Sequence, residues 1–314
     1  MTQVAVPKRM PPRTEAVPPW NPQRKQGWKR RLPILPAIVF TVVVTQAPAL
    51  LTIYYSFHHW VLLTPDNRPF VGFDNYRSVL GDPNFRAAAW NTVTITVTSM
   101  VLAVLMGLLL AVLLDRKFRG RGVARTLLIT PFLVMPAASA LVWKTSILDA
   151  NFGLLNWVLS LAGVDGIEWA SEYPVATVVV VLTWQWTPFT MLILLAGLQS
   201  QDTEILEAAR VDGGSALQIF RYLTLPYMRP FIELATILGS VYLIQAFDPI
   251  YLITQGGPGN ATTNLPYYLY IESFRTGNIG RASAAGVMMV IATIAIATVA
   301  LRLVATVIRE GIDR

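Results

Sequence analysis

The chain has 314 residues, of which 54% are hydrophobic and only 14% charged, with a mean hydropathy of +0.50. That leaves too little polar surface to cover a soluble domain of this size and points to a bilayer protein. There is no cysteine, which excludes disulfides, thiolate catalysis and thiolate metal sites, and the two histidines, His58 and His59, are adjacent, a poor basis for a metal cage or proton relay.

Residues 1–31 carry six prolines and almost no apolar periodicity, so a disordered, basic, cytosolic tail is expected. Eight of the 25 Lys/Arg lie between Lys8 and Arg31, just before the first apolar run. Placed there, the net charge of +7 reads as a topology signal, not a nucleic-acid patch. Six stretches follow, at 32–57, 92–114, 123–147, 175–198, 231–254 and 282–308, each near the roughly 20 apolar residues that cross about 30 Å of hydrocarbon. Ala47-Pro48-Ala49 looks like a cleavage site, but the basic lead is long for a signal peptide and apolar residues continue through Leu50, Leu51 and Ile53.

Positive residues set the orientation. The 115–125 connection has five and the 199–230 connection three, against three in the longer 58–91 loop, none in 148–174 and two in 255–281. Both termini, including 309–314, are therefore expected in the cytosol. His58-His59-Trp60 then falls at the outer end of the first span, where an aromatic-belt anchor is expected. Pro48, Pro131, Pro136, Pro188 and Pro249 lie in or at the ends of spans, where each removes a backbone donor and predicts either a kink or an irregular, pathway-lining helix. In the last span, Ala282 and Gly286 at four-residue spacing, with Ala292 and Ala300 further along, suit close helix approach.

No nucleotide-binding G-x-x-x-x-G-K-[ST] and no H-E-x-x-H occurs, and no serine has a histidine partner inside a span. The energy source therefore lies elsewhere, in an ion gradient or a separate ATPase. The polar stretch at 204–230 bears on that choice. Asp202 caps a short helix from near Thr203, Glu204 sits in its positive first turn, and Glu207 and Arg210 are spaced to pair. Gly213-Gly214 ends it, and a second short helix from Ser215 to about Leu223 is expected to stop at Pro226. A helix this short is marginal alone. Its polar side carries Asp202, Glu204, Glu207 and Asp212 against Arg210, where a headgroup-bound helix would carry Lys and Arg, so docking into a protein groove is the better reading.

Glu207-Ala208-Ala209, three residues, Gly213, nine residues, then Leu223-Thr224-Leu225-Pro226 resembles the EAA loop of ABC importer permeases, with leucine where isoleucine is commoner. "VGFDNYRSVLGDPNF", "LVWKTSILDANFGLLN", "WQWTPFTMLILLAGLQS" and "FDPIYLITQGGPGNATTNLPYYLYIESF" resemble segments of carbohydrate-uptake permeases of the maltose class, so the resemblance covers most of the chain from about residue 32. Gly214 departs from it, since alanine is commoner there, and is expected to loosen the turn.

The resemblance implies an all-α integral membrane permease of six spans over 32–308, with a cytosolic coupling helix in the 199–230 loop between spans four and five. It implies a bacterial cytoplasmic (inner) membrane, a second homologous permease subunit, two ATP-binding subunits that hold the ATP and Mg, an extracytoplasmic solute-binding protein, and no cofactor or catalytic residue on this chain. It carries Glu207, Ala208, Ala209, Asp212, Gly213, Leu225 and Pro226 over as ATPase-coupling positions. The substrate expected is a carbohydrate, a sugar or a sugar alcohol such as mannitol or sorbitol.

Polar groups inside spans cost energy to insert and invite a pathway reading. Gln245 and Asp248 lie three apart in the fifth span, and Gln185 lies between Trp184 and Trp186 in the fourth, just before Pro188. These residue types bond sugar hydroxyls and stack on sugar rings, so Trp184, Gln185, Gln245 and Asp248 are candidate pathway residues. The competing readings are that Trp184 and Trp186 simply pack or face lipid, that Gln185 bonds a neighbouring helix, and that Asp248 sits at the aqueous boundary. An ion-gradient-driven secondary transporter is the alternative function, weakened by the lack of an intramembrane carboxylate pair and of a visible inverted repeat.

Overall fold

The structure, a computed structural model, describes residues 34–164 and 166–309. The expected basic tail, 1–31, and the residues after 309 lie outside the described residues. Among those described the chain is helical, and its only β-pairing is two isolated bridges, His58 with Phe70 and Val61 with Asn278.

Helix α1 (Leu35–Ser56) has 22 residues and contains Pro48. Ile38, Phe40 and Val43 are each more than half exposed along it. A short α2 (Asp74–Gly81) leads to α3 (Pro83–Asp115), capped by the Asp82 carboxylate on the Asn84 backbone N–H at 2.8 Å. The helix thus begins at Pro83, well before the expected span start at 92, because Asp82 and Pro83 supply a cap and a preset first turn. The third span is two helices, α4 (Arg121–Leu133) and α5 (Pro136–Val142), the latter continued by a wide π turn at Trp143–Ile147. They meet at 99°. Met135, before Pro136, is held extended (ψ 132°), as a residue preceding proline prefers, and the helix cannot run through.

After α6 (Leu154–Ser160) and α7 (Trp169–Glu172) comes α8 (Pro174–Gln199). Among the described residues the most extensive packing between two helices is that of α3 with α8. Ala103, Gly107 and Ala111 repeat every fourth residue on α3, and both alanines are fully buried. A Cβ at Gly107 would collide with the Thr190 hydroxyl and lie 2.9 Å from the Met191 backbone nitrogen. That hydroxyl donates to the Ala103 carbonyl at 2.6 Å, the small-residue crossing with an interhelical hydrogen bond that packs helices in lipid. The small residues expected to pack in the last span are seen in part: Ala282 is buried, Gly286 and Ala292 are half-buried, and the side chain of Ala300 lies outside the described ones.

Helix α9 (Thr203–Val211) and α10 (Ala216–Ile219) follow, then a wide turn at Phe220–Thr224, α11 (Leu225–Tyr227) and α12 (Arg229–Ile244). Pro226 does not stop the second short helix as expected. The wide turn before it displaces the carbonyls its ring would strike, and the helical run continues to Tyr227. The fifth span is also broken. α12 ends at Ile244, and a wide turn resumes only at Ile250–Thr254. Helices α13 (Leu265–Tyr270), with its own wide turn at Ile271–Arg275, and α14 (Ile279–Arg309) complete the described chain. Among the described residues three helices, α1, α3 and α8, are long and apolar enough to cross a membrane, and the bent α4–α5 pair makes a fourth.

Candidate functional site

The first candidate region is the polar loop between α8 and α12. Asp202 accepts the Glu204 backbone N–H at 2.9 Å, and Glu204 lies in the first turn of α9, as the residue types predict. At the other end Gly213 takes φ +85°, a left-handed conformation that costs other residues energy, and the Gly214 N–H closes on the Ala209 carbonyl at 3.0 Å. Gly214 does not loosen this turn. A Cβ there would come within 2.8 Å of the Ala209 carbonyl oxygen, so glycine allows the chain to fold tightly back. Ser215 and Gln218 then form a reciprocal capping box.

Glu207, Ala208 and Asp212 are exposed and Ala209 half-buried, and Glu207 and Arg210 form no ion pair among the described residues. The apolar residues of the loop are the telling ones. Ile205 is 54% exposed, Val211 87% and Leu217 75%, so nothing in the described chain covers them. The base of the loop, by contrast, is fixed. The Tyr227 hydroxyl lies 2.9 Å from the Ser200 carbonyl and 3.1 Å from its hydroxyl. Beside it Gly197 packs so closely on Phe231 that a Cβ would sit 2.6 Å from the ring. Arg229 pairs with Glu233, four residues on in the first turns of α12, at 2.8 Å. Leu225 is exposed and Pro226 half-buried beside this clamp.

The second region lies at the breaks. Each interrupted helix leaves carbonyls without intrahelical partners, and side chains from elsewhere reach them. Gln185, buried in α8, donates to the Val134 carbonyl at the 99° bend, a long bond of 3.4 Å. Asn264 donates to the Ala246 carbonyl where α12 has ended. Lys144 donates to Leu252 in the wide turn beyond, at 2.8 Å.

The sequence-predicted pathway residues do not form one cluster. Gln185 faces the bend, and Gln245, exposed at the end of α12, turns back to the Val241 carbonyl at 3.0 Å. Asp248 is half-buried at the start of the next turn and makes no ion pair among the described residues. Trp184 and Trp186, two positions apart, point to different sides of α8. Trp184 meets Trp143 at 5.6 Å, while Trp186 stacks on Tyr242 of α12 at 5.3 Å and touches Phe132 of α4 at 5.6 Å. Trp186, named in the sequence only as a flank of Gln185, and Tyr242, which sequence reasoning passed over, therefore join the three elements around the bend. Tyr242 is also three residues from Gln245, on the same side of α12.

Outside the spans the structure builds an ion cluster. Arg281 pairs with Asp82 at 2.8 Å and with Glu272 at 3.2 Å, and the Tyr268 hydroxyl donates to Asp82 at 2.9 Å. Burial raises the Glu272 and Tyr268 pKa values above their usual ranges. At Asp82 burial acts in the same direction, but the Asn84 N–H, the Tyr268 hydroxyl and Arg281 outweigh it and hold that carboxyl below the usual range. At the end of α1, Trp60 packs on Tyr55 at 4.4 Å beneath the Arg68 guanidinium at 4.1 Å, and His58 Nδ1 lies 2.8 Å from the Tyr54 carbonyl.

Comparison with known proteins matches residues 103–310 to the family model described as binding-protein-dependent transport system inner membrane component. A probable ABC transporter permease protein of Sinorhizobium fredii is 39% identical, over 83% of this chain and 85% of that one. A trehalose/maltose transport system permease protein of Thermococcus litoralis is 34% identical, over 85% and 89%. Among solved structures, a bacterial ABC transporter involved in the import of the acidic polysaccharide alginate shares the fold, with a TM-score of 0.75 at 22% identity over 90% of this chain and 96% of that one.

Proposed function

The chain belongs to the family of inner membrane components of binding-protein-dependent transport systems, and from that premise we propose that it is one of two permease subunits of an ATP-binding cassette importer that moves a carbohydrate inward by alternating access. Relatives with sugar-transport names support the substrate class, and the trehalose/maltose permease is one of them. Within that class a sugar or a sugar alcohol such as mannitol or sorbitol is our finer reading. Our reading is six spans, from the apolar stretches, with the broken α4–α5 pair and the α12 region counting as spans three and five. The charge distribution supports both termini in the cytosol, and the family supports a bacterial-type cytoplasmic membrane.

One observation carries the mechanism. Helix α9 is capped at both ends and the loop is clamped at its base, yet α9 presents Ile205 and Val211 uncovered and α10 presents Leu217 uncovered. An ATPase subunit is the occupant we assign to that face, with Glu207, Ala208, Ala209, Asp212 and Gly213 at the contact and Leu225 and Pro226 at its hinge. ATP and Mg then reside on the partner, and this chain performs no chemistry of its own. Movement of the clamped loop passes through the Gly197–Phe231 contact to α8 and α12, the helices that carry Trp186, Gln185, Tyr242 and Gln245. Trp184, Gln185, Gln245 and Asp248 are assigned to the pathway, with an external solute-binding protein delivering the substrate.

The test is purification from native membranes in mild detergent, identification of every co-purifying chain, and an ATPase assay. A second permease and an ATPase are expected, with the ATPase lost from the preparation in Glu207→Lys while membrane insertion is unchanged. Uptake that survives deletion of the ATPase but collapses with the proton or sodium gradient would overturn the proposal in favour of secondary transport.

A further inference from the structure

Where the bent α4–α5 pair meets the start of α8, the structure forms a half-open chamber of about 350 Å³. Its walls are Trp143 and Leu148 from the end of that pair, Trp169 and Tyr173 from the segment around α7, and Ala176 and Val180 from the first two turns of α8. Most polar groups around it are engaged with the chain itself. The Thr177 hydroxyl donates to the Trp169 carbonyl at 2.9 Å and the Trp169 indole N–H donates to the buried Asn156 at 2.9 Å, while the buried Trp143 indole N–H has no partner among the described residues. A sugar in this space would find almost nothing to bond. By volume it would hold roughly ten waters, with too few partners to keep them.

The chamber is continuous with apolar surface. Val180 is 50% exposed on a membrane-crossing helix, and neighbouring α6 turns Leu154, Trp157 and Leu161 outward, all more than half exposed. Its border at the α7 side is acidic. Residues 148–174 contain no Lys or Arg, Glu168 and Glu172 flank Trp169, and Lys144, next to Trp143, is tied to the Leu252 carbonyl at 2.8 Å.

We propose that this chamber is a lipid site, which takes one acyl chain of a phospholipid whose ammonium headgroup sits beside Glu168 and Glu172. An anionic headgroup would meet like charge there. The site rests on the orientation proposed above only for its leaflet, the outer one.

The complex, purified with its partner chains, is reconstituted in phosphatidylcholine vesicles containing a photoreactive diazirine on the acyl chain of either phosphatidylethanolamine or phosphatidylglycerol. The ethanolamine probe is expected to label the peptide spanning Trp169 to Val180 more strongly than the glycerol probe does. Two substitutions that fill the space, Ala176→Phe and Val180→Trp, are expected to cut that label about tenfold, with labelling of the α1 peptide unchanged. Equal labelling by the two probes, or label that persists in both variants, overturns the proposal. So does a cross-link from a photoreactive residue at Leu155 to a co-purifying protein instead of lipid. Labelling only from a probe confined to the inner leaflet would sustain the lipid site and overturn the orientation.

Discussion

Arg281 satisfies two carboxylates that no other described cation reaches. Its side chain is 24% exposed, against 14% for Asp82 and 11% for Glu272, so Arg281→Met would leave two buried acids uncompensated, at a cost of about 3–5 kcal/mol. A lowered thermal midpoint of the detergent-purified complex is the expected reading. The two acids titrate in opposite senses. Asp82 is held below 3.8 in the folded state, so its contribution is complete above 3.8 and is lost as pH falls through the folded value. Glu272 is raised above 4.5, so its protonation favours the folded state and stability from this group declines as pH rises from 4.5 through the folded value. Stability measured against pH should therefore lose its acid limb below 3.8 in Asp82→Asn and its slope just above 4.5 in Glu272→Gln. A common shift in both variants would mean that the cluster does not titrate as described. None of this is legible in the sequence, where Arg281 counts only as one positive residue in a loop and its partner Asp82 lies 199 positions upstream.

At the scale of elements, local chemistry is readable and tertiary support is not. The Asp202 cap, the Gly213 turn and the helix between them follow from residue types within a few positions. Pro226 misleads, because a wide turn precedes it and the helical run continues to Tyr227, whose hydroxyl is tied to Ser200 from 27 positions upstream. The bend at Val134 is similar. Pro136 predicts an interruption, but the 99° angle also depends on Gln185 meeting the freed carbonyl from a distant helix. The clamp carries a prediction: Tyr227→Phe removes the hydroxyl bonds at the loop base, worth about 0.5–1.5 kcal/mol, and should loosen the loop without unfolding the spans. Hydrogen exchange should therefore accelerate in α9 and remain unchanged in α3. Equal acceleration in both would place the bond in global stability instead.

At the scale of the whole molecule, three described helices satisfy a length-and-composition test and the bent α4–α5 pair adds a fourth, against six apolar stretches in the sequence. The third stretch turns sharply at Val134, the fifth loses its helix after Ile244, and the last counts among the described residues only as the shorter apolar helix Ile279–Ala295. Positive charge assigns a side to each connection without depending on helix continuity. The absence of cysteine makes that reading directly testable. Single substitutions Phe152→Cys and Asn260→Cys are expected to react with a membrane-impermeant maleimide in intact cells, and Lys117→Cys and Glu207→Cys only after permeabilisation. All four positions are exposed in the structure, so failure to react reports sidedness and not burial. Reactivity of positions 152 and 117 from the same side would mean that the bent α4–α5 pair enters and leaves through one face as a re-entrant loop. Opposite sides for 152 and 117, and again for 207 and 260, would make both broken helices true crossings, with their irregular backbone inside the membrane and bonded by Gln185, Lys144 and Asn264.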